Sequence, residues 1–307
     1  MNCFNVNPFS YEQTNCSVNP FALREGSKRP IVQDGDGRLV AVIGAGPAGM
    51  EAAVTLKQRG FDVVVFDKRD EIGGNLHVAK KPPFKGKFEW AIDYYKSMAK
   101  KLNITMKLGK EVTAQEVLAL KPYSILVATG SNVISIPLEG LDQVQTVQAH
   151  DVLANDMQFA NKKVVVIGGG ITGLETALYI NRQGTNQVSV VDMLPEWPVD
   201  MLDMRYQNEA LLEVRHCNDQ GVALFYNNKV VKFADGKLFI ESTKDGEVKE
   251  LPADVIVLSV GVKPNDALWQ ELLASGHPSV WKAGDAIATG KINKAVLHGS
   301  KFGYSLN

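Results

Sequence analysis

Val42-Ile43-Gly44-Ala45-Gly46-Pro47-Ala48-Gly49 and, about 120 residues later, Val164-Val165-Val166-Ile167-Gly168-Gly169-Gly170-Ile171-Thr172-Gly173 are two copies of one glycine pattern. Each closes a β-branched apolar run that reads as a buried parallel strand, and each opens a segment of helical character. An acid follows at the end of the next apolar run, roughly 20 residues on in the dinucleotide fingerprint. Here the acids are Asp67, after Val63-Val64-Val65-Phe66, and Asp192, after Val188-Ser189-Val190-Val191. Strand, glycine turn, helix, strand and acid in that order, twice over, read as two dinucleotide sites. The alternative, that the glycines only make turns, has to explain two such arrangements at once.

The chemistry accounts for the glycines. A pyrophosphate is held by backbone N–H groups at a helix N-terminus, where unpaired donors and the helix dipole favour an anion. Gly44 permits the tight turn, Gly46 lets backbone approach phosphate, and Gly49 lets helix and strand pack closely. Gly168, Gly170 and Gly173 would do the same in the second copy. Asp67 and Asp192 would accept hydrogen bonds from an adenosine ribose. An acid at Asp192 favours the free 2′-hydroxyl of NAD and repels a 2′-phosphate. Met193 and Leu194 follow it with no arginine clamp. NADH is therefore favoured over NADPH, with Arg205 the nearby residue that keeps the second open.

The 307 residues suit two modest domains, and a formal net charge of −1 gives no field for nucleic acid or an anionic membrane. Lysines between Lys80 and Lys87, and the Lys100-Lys101 pair, form local basic patches. Such runs are usually solvated faces; docking of an acidic partner is the alternative. No stretch is long and apolar enough for a membrane span, and the N-terminus lacks a signal-peptide pattern, so a cytoplasmic location is expected. Cys3, Cys16 and Cys217 make neither a disulfide framework nor a Cys-x-x-Cys pair. A flavoprotein that reduces disulfides needs two cysteines by the flavin, so electrons are expected to leave by another route. None of the five histidines falls in a triad or metal pattern, and no metal site is expected.

Residues 1–37 read as an arm rich in Asn, Pro and Ser, ending at the turn-prone Asp34-Gly35-Asp36-Gly37. A first nucleotide unit runs from Arg38 to about Gly140. It includes a helix near Phe88 to Leu102, with core-facing positions among Trp90, Ile92, Tyr94, Tyr95 and Met98. Ser124-Ile125-Leu126-Val127 is an apolar strand ending in Ala128-Thr129-Gly130. The second unit covers about Leu141 to Pro264, with Asp235-Gly236 and Asp245-Gly246 punctuating a small β-meander. Val280-Trp281-Lys282-Ala283-Gly284-Asp285-Ala286 then leads into a last helix. The two glycine units read as a duplicated module.

Taken together, Gly44 to Gly49, Ala128-Thr129-Gly130, Gly168-Gly169-Gly170 and Ala283-Gly284-Asp285 resemble the two-dinucleotide-domain flavoprotein reductases. The resemblance covers nearly the whole chain. It implies an α/β fold of two Rossmann-like dinucleotide-binding domains, with the NAD domain inserted into a discontinuous FAD domain. The implied division is residues 38–140 and 265–307 for FAD and 141–264 for NAD(P). Within that class, Ile72-Gly73-Gly74-Asn75-Leu76, Lys81-Pro82-Pro83, Gly168 to Ala177, Val260-Gly261-Val262-Lys263-Pro264-Asn265 and Cys16-Ser17-Val18-Asn19-Pro20 are similar to one group. They match the C-terminal FAD/NAD region of the 2,4-dienoyl-CoA reductase and trimethylamine dehydrogenase flavoproteins. Full-length members of that group carry an upstream FMN barrel and a four-iron cluster held by four cysteines. The sequence departs from both features. No barrel precedes the arm, and only Cys3 and Cys16 stand near the cluster positions, with Val6 and Ser10 at ligand positions in one alignment. Two thiolates cannot supply four ligands, so the arm reads as a degenerate iron-sulfur segment.

The resemblance implies a role for each matched position. Gly44, Gly46 and Gly49 would hold the FAD pyrophosphate and Asp67 its ribose. Gly73, Gly74 and Leu76 would lie along the FAD, with Ala128, Thr129 and Gly130 at the crossing to the inserted domain. Gly284 and Asp285 would meet the ribityl or pyrophosphate part, with the next helix N-terminus under the flavin's polar edge. Gly168, Gly170, Gly173, Asp192 and Gly261 would belong to the nicotinamide dinucleotide site. Glu175 would orient the nicotinamide carboxamide, with an ordinary exposed helix residue as its alternative. The implied activity is hydride transfer from NADH to FAD, with electrons passed to an unidentified acceptor. A separate FMN/iron-sulfur subunit, another electron carrier, a small molecule, a quinone or oxygen would each serve. No catalytic side chain is assigned, because the cofactors carry that chemistry. Two further readings remain: a scaffold holding ADP in the second site without turnover, and a fragment of a larger flavoenzyme.

Overall fold

Apolar β-branched runs that are hydrophobic on both faces form parallel strands only when helices cover the sheet on both sides. The computed structural model, which describes residues 16–22, 26, 30–195 and 204–307 without the side chains of 204–209, builds this arrangement twice. Cys3, Val6 and Ser10 and the Arg205 side chain lie outside the described residues.

In chain order the first part comprises β1 (Leu39–Ile43), α1 (Pro47–Gln58), β2 (Asp62–Phe66), α2 (Leu76–Ala79), α3 (Glu89–Lys101), β3 (Thr105–Lys107), α4 (Ala114–Ala119) and β4 (Ser124–Val127). There follow β5 (Ser131–Val133), β6 (Gln145–Gln148), α5 (Ala149–Ala154), β7 (Lys163–Ile167), α6 (Ile171–Asn181), β8 (Gln187–Val191), α7 (Met204–Asp219) and β9 (Ala223–Phe225). The chain continues through β10 (Asn228–Ala234), β11 (Lys237–Ser242), β12 (Val248–Pro252), β13 (Val255–Leu258) and β14 (Val262–Pro264). It ends with α8 (Ala267–Ala274), β15 (Val280–Lys282) and α9 (Ile292–Ser305).

One parallel sheet has the order β15-β4-β1-β2-β3, the other β6-β13-β7-β8-β9. The runs β4-β1-β2-β3 and β13-β7-β8-β9 follow the same winding, so the second sheet repeats the first. Because β15 pairs with β4, the chain returns to the first sheet after completing the second. The second unit is thus inserted into the first. β10, β11 and β12 form the antiparallel meander. β5 and β14 pair antiparallel, so the outward and returning crossings travel as one two-stranded ribbon. Val40, Val42, Val65, Leu126, Val164, Val166, Val190 and Val257 are buried. Each such side chain contributes about 1.5–3 kcal/mol by leaving water.

Three local features tie the ends together. The Arg59 guanidinium, 4% exposed, donates to the carbonyls of Gly303 and Leu306 at 2.7 Å each and forks onto the Asp34 carboxylate at 2.8 and 2.5 Å. Its charge holds the Asp34 carboxyl below the usual range. α9 lies on α1 through small residues: a Cβ at Gly299 would sit 2.1 Å from the Ala48 carbonyl oxygen, and one at Gly303 2.6 Å from Thr55 Cβ. On α3, Ile92 and Tyr95 are buried as expected, whereas Trp90 and Tyr94 are 68% and 48% exposed. Positions 90 and 94 are one turn apart and share the outer face, so two of the five aromatic or apolar positions face water.

The α1–α9 contact leaves no room for a methyl group. Gly299→Ala is expected to push the helices apart and lower stability by about 1–3 kcal/mol. Urea unfolding would register this as a fall in midpoint at unchanged slope.

Candidate functional site

The two glycine loops lie at the C-terminal ends of β1 and β7, where the next helix begins. Gly44 has φ +113° and its Cβ would fall 2.2 Å from the Ala128 carbonyl oxygen at the end of β4. Gly168 has φ +109° and its Cβ would fall 2.3 Å from the Ser259 carbonyl oxygen, beyond β13. Gly49 and Gly173 each present a hydrogen where a Cβ would come within 1.9 Å of the Gly44 and Gly168 carbonyl oxygens. Both loops therefore require glycine at equivalent positions for the same steric reason.

The acids close each loop from the side. Asp67 accepts the Ala45 N–H at 2.6 Å through one oxygen and the Arg69 N–H at 2.8 Å through the other. Asp192 accepts the Gly169 N–H at 2.6 Å and the Leu194 N–H at 2.8 Å in the same way. The third strand supports each acid: the Asp67 N–H donates to Lys107, and the Asp192 N–H to Phe225. Beyond those strands, Gly109 donates to Arg69 and Asn227 to Leu194, both from positive φ. Sequence reading passed over Gly109 and Asn227, each of which stands two residues past the third-strand residue that supports its acid. An ionised carboxylate that accepts two backbone N–H groups is fixed in place and still has lone pairs for a hydroxyl donor.

The residues present fit an anion at both loops. Gly46 and Gly170 are the N-caps of α1 and α6, without a side-chain cap bond and with no acid in the first turn. A Cβ on Gly170 would meet nothing within 4 Å, and one on Gly46 would meet only the Gly74 Cα at 3.9 Å. Above each helix N-terminus lies open space, backbone donors and the positive end of the helix dipole.

Around the first loop, the Gly73 N–H donates to Ala45 at 2.9 Å, while a Cβ on Gly74 would approach the Gly46 Cα to 2.8 Å. Leu76, 1% exposed, anchors the start of α2. Ala128 ends β4, and the Thr129 hydroxyl donates to the Asn265 carbonyl at 2.6 Å. The Asn265 N–H donates to Gly130 at 3.0 Å, so the crossing is clipped where it begins and ends. Gly261 belongs to the same ribbon, accepting the Ile134 N–H at 3.0 Å.

Gly284 has φ +64°, its Cβ position 3.0 Å from Ala48 Cβ, which brings Asp285 alongside α1. Burial pushes the Asp285 carboxyl above the usual range, against the Gly290 N–H at 3.1 Å and the Ser131 hydroxyl at 3.4 Å. On α9, Asn293 Oδ1 and His298 Nδ1 are buried with no hydrogen-bond partner among the described residues. Burial, helped by Lys301 and Lys294, keeps His298 below its ordinary pKa. The His298 imidazole, which feels the Asp285 charge, and the Asn293 amide oxygen thus each leave a buried polar atom on α9 for a further partner. No motif in the sequence marks either residue.

In the second unit Glu175 is 7% exposed and ion-paired with Lys85 of the first, so its reading as an ordinary exposed helix residue is corrected. Helix periodicity alone could not show that the loop after α2 brings Lys85 to this face of α6. Lys80 pairs with Glu89 and Lys81 with Asp156, so most of the basic run is neutralised within the chain rather than presented to an acidic partner. His150, on α5, sits 3.3 Å from Asn75 Oδ1 and 3.5 Å from the Arg69 guanidinium. Burial holds His150 below its ordinary pKa against the opposing effect of Asp151. Cys217 is fully buried, its thiol pushed up to about 12 by burial and by Glu213. A thiol so buried and so firmly protonated is a poor nucleophile. No group of three or more His, Cys, Asp or Glu side chains among the described residues could hold a metal ion.

A family model described as pyridine nucleotide-disulphide oxidoreductase matches residues 38–297. An NADH oxidase of Thermoanaerobacter brockii is 32% identical over 312 residues, covering 99% of this chain and 46% of the oxidase. A bilirubin reductase of Mediterraneibacter gnavus is 34% identical over 238 residues, covering 78% of this chain and 36% of the reductase. The chain therefore spans about half or less of these relatives. A solved 2-naphthoyl-CoA reductase complex superposes with a TM-score of 0.86 at 28% identity, over 95% of this chain and 44% of that one. No helix among the described residues is long and apolar enough to cross a membrane.

The two acid clips give separable expectations. Asp67→Ala is expected to weaken retention of a dinucleotide in the first unit about tenfold, and Asp192→Ala to weaken binding in the second by a similar factor. Flavin-to-protein absorbance ratio and NAD+ calorimetry would read the two effects independently. Each variant should disturb only its own unit.

Proposed function

We propose, from the premise that the chain belongs to the pyridine nucleotide-disulphide oxidoreductase family of FAD- and NAD(P)H-using enzymes, that it takes hydride from NADH onto FAD. Within that family it is related to the dienoyl-CoA reductase and trimethylamine dehydrogenase group. The observation that carries the reading is the duplicated, openly capped glycine loop, one in each sheet, joined by a single β-ribbon. When bound, FAD supplies the hydride acceptor and the nicotinamide the donor, so no side-chain nucleophile is needed.

The protein's part is to bind and align. Gly44, Gly46 and Gly49 with the α1 N-terminus hold the FAD pyrophosphate, and Asp67 accepts from its ribose. Gly73, Gly74 and Leu76 line the path beyond. Gly284 and Asp285, with Asn293 and His298, meet the polar middle of the cofactor. Gly168, Gly170 and Gly173 hold the nicotinamide dinucleotide at α6, and Asp192 binds its ribose. The Asp192 carboxylate, fixed by two N–H groups, meets a 2′-hydroxyl favourably and a 2′-phosphate unfavourably. Glu175 faces the nicotinamide carboxamide. Alignment of this kind supplies much of the rate enhancement when reacting atoms are held at about 3–3.5 Å.

Among the described residues Cys16 and Cys217 are both free cysteines, which supports an exit for the electrons other than a cysteine pair. The relatives are named for NADH oxidation and for reduction of bilirubin and 2-naphthoyl-CoA, and each is about twice this chain's length or more. The acceptor in this case is a separate redox unit of the FMN or iron-sulfur kind, or a small molecule reached through it. The competing reading, a scaffold holding ADP at Gly168 to Gly173, makes the opposite prediction for NADH.

Anaerobic addition of NADH to the FAD-loaded protein is expected to bleach the flavin absorbance promptly, with NADPH at least about tenfold slower. Flavin that stays oxidised in excess NADH, while ADP binds tightly, would replace this reading with the scaffold.

A further inference from the structure

Besides the lysine clasp at Lys81 and Lys85, a histidine of the second unit reaches back to the first. His150 stands in the first turn of α5, with its ring largely withdrawn from water. Its Nε2 lies 3.3 Å from Asn75 Oδ1 and 3.5 Å from the Arg69 guanidinium, 75 and 81 residues away along the chain. Asn75 directly follows Gly73-Gly74 and precedes α2. Arg69 is fastened to the first site at three points: its N–H donates to Asp67 at 2.8 Å, its carbonyl accepts the Gly109 N–H at 2.8 Å, and its guanidinium donates to the Gly74 carbonyl at 3.0 Å. The Gly73-Gly74 turn in its own right lies on the glycine loop, through the Gly73 N–H on Ala45 and the close approach of Gly74 to Gly46. His150 therefore meets a side chain that ties the acid's loop to the double-glycine turn.

The second copy has no counterpart. Leu194 stands where Arg69 does, its N–H accepted by Asp192 in the same way, and it has no polar head to extend. The chemistry at Nε2 is sensitive to protons. A neutral ring either accepts from Arg69 or, as the other tautomer, donates to Asn75. A protonated ring can only donate, and it sets a second cation 3.5 Å from the guanidinium. Burial is the largest influence on the ring and holds it below its ordinary pKa. Arg69 and Lys68 of the first unit act in the same direction, and Asp151 on α5, 3.5 Å from Nδ1, acts against them. On α2, which packs against α5, His77 is turned to the Ile72 carbonyl at 2.8 Å and to Glu71 at 3.5 Å. On α6, Glu175 and Arg182 are engaged with Lys85 and with Gln220.

We propose that His150 is a positioning residue for the first dinucleotide site: carried by the inserted unit, it holds Arg69 and Asn75, and through them the Gly73-Gly74 turn, in the arrangement that retains FAD. The inference rests on the assignment of FAD to the first glycine loop. His150 acts through those two side chains. Retention of FAD then depends on the inserted unit, and it weakens in acid. The ring is held below its ordinary pKa while the contact is made and returns to it when the contact opens. Retention is therefore complete above the ordinary histidine range and declines as pH falls through the lowered value.

The test follows release of FAD from the loaded protein by the rise in flavin fluorescence on dilution, at about pH 8 and at about pH 5.5. His150→Ala is expected to speed release about fivefold at the higher pH, the loss of one charge-assisted contact. His150→Gln, whose amide reaches the same place and does not titrate, should stay within about twofold of the wild type there. On moving to the lower pH, release from the wild type should accelerate about fivefold more than release from His150→Gln. Asp285 and His298 titrate alike in both proteins and cancel in that comparison. Arg69→Met should also speed release, and adding His150→Ala to it should change little, because the two act as a unit. NAD+ affinity of the second unit, read by calorimetry, should stay within about twofold in every variant, which a general loss of packing would not permit. If His150→Ala purifies without FAD, an intact NAD+ affinity supports the proposal and a joint loss overturns it. Release from His150→Ala no faster than from the wild type, or equal acid acceleration in the wild type and His150→Gln, also overturns it and leaves His150 a packing contact. A wild-type protein that takes up no FAD removes the premise and the proposal with it. Flavin that binds but is not reduced by NADH counts against the proposed function alone, since release does not depend on turnover.

Discussion

Two backbone carbonyls set the geometry of this protein. The Gly44 and Gly168 oxygens lie where a Cβ at Gly49 or Gly173 would be within 1.9 Å, so α1 and α6 can start against their strands only if those positions carry a hydrogen. That approach aims each helix N-terminus over the end of its sheet. It also brings the next strand's acid within reach of the loop, where Asp67 and Asp192 each accept two N–H groups. The remaining parts of the site are arranged around these two clipped loops. The duplication extends to single hydrogen bonds, but the residues after the acids diverge. Lys68-Arg69 follows in the first copy and Met193-Leu194 in the second. The Arg69 guanidinium donates to Gly74 and lies beside His150 of the other unit, a contact the second copy does not reproduce.

Two sites on two sheets can cooperate only if the sheets are held in register. The chain manages this with the β5–β14 ribbon, clipped at Thr129, Gly130 and Asn265. On the other side stand the Lys81–Lys85 clasp and the Asn75–His150 contact. The return of the chain matters as much. α9 packs on α1 through Gly299 and Gly303, and Arg59 gathers the carbonyls of Gly303 and Leu306 together with Asp34. Gly284 and Asp285 come beside Ala48 of the first glycine loop from a part of the chain more than two hundred residues away.

Much of this was legible in the sequence because glycine and β-branched residues report local backbone demands. A strand buried on both faces must be apolar throughout, and a turn at positive φ beside a carbonyl must be glycine. The expected strands, turns and meander accordingly appear where the pattern put them. Side chains whose environment is made by distant segments were less legible. Trp90 and Tyr94 read as candidates for the core by residue type, yet they are 68% and 48% exposed on the outer face of α3. The lysines at 80, 81 and 85 read as a solvated or partner-docking run, and their partners lie as far as 90 residues away in the chain. Small residues at 295, 299 and 303 mark a helix seam one turn apart, but only a partner helix gives the spacing meaning.

The insertion of one unit in the other was implied by the family resemblance, whereas the sequence by itself determined the strands of the two sheets, the two glycine loops and the acids that close them. Each of these is encoded by residues within a few turns or strands of one another, where steric and hydrogen-bonding demands are local. Only the tertiary structure decided which faces are covered. It buried Glu175 under Lys85, left Trp90 outside, and carried His298 to Asp285. Burial and charge pairing depend on which surfaces meet, and that is a property of the whole folded chain.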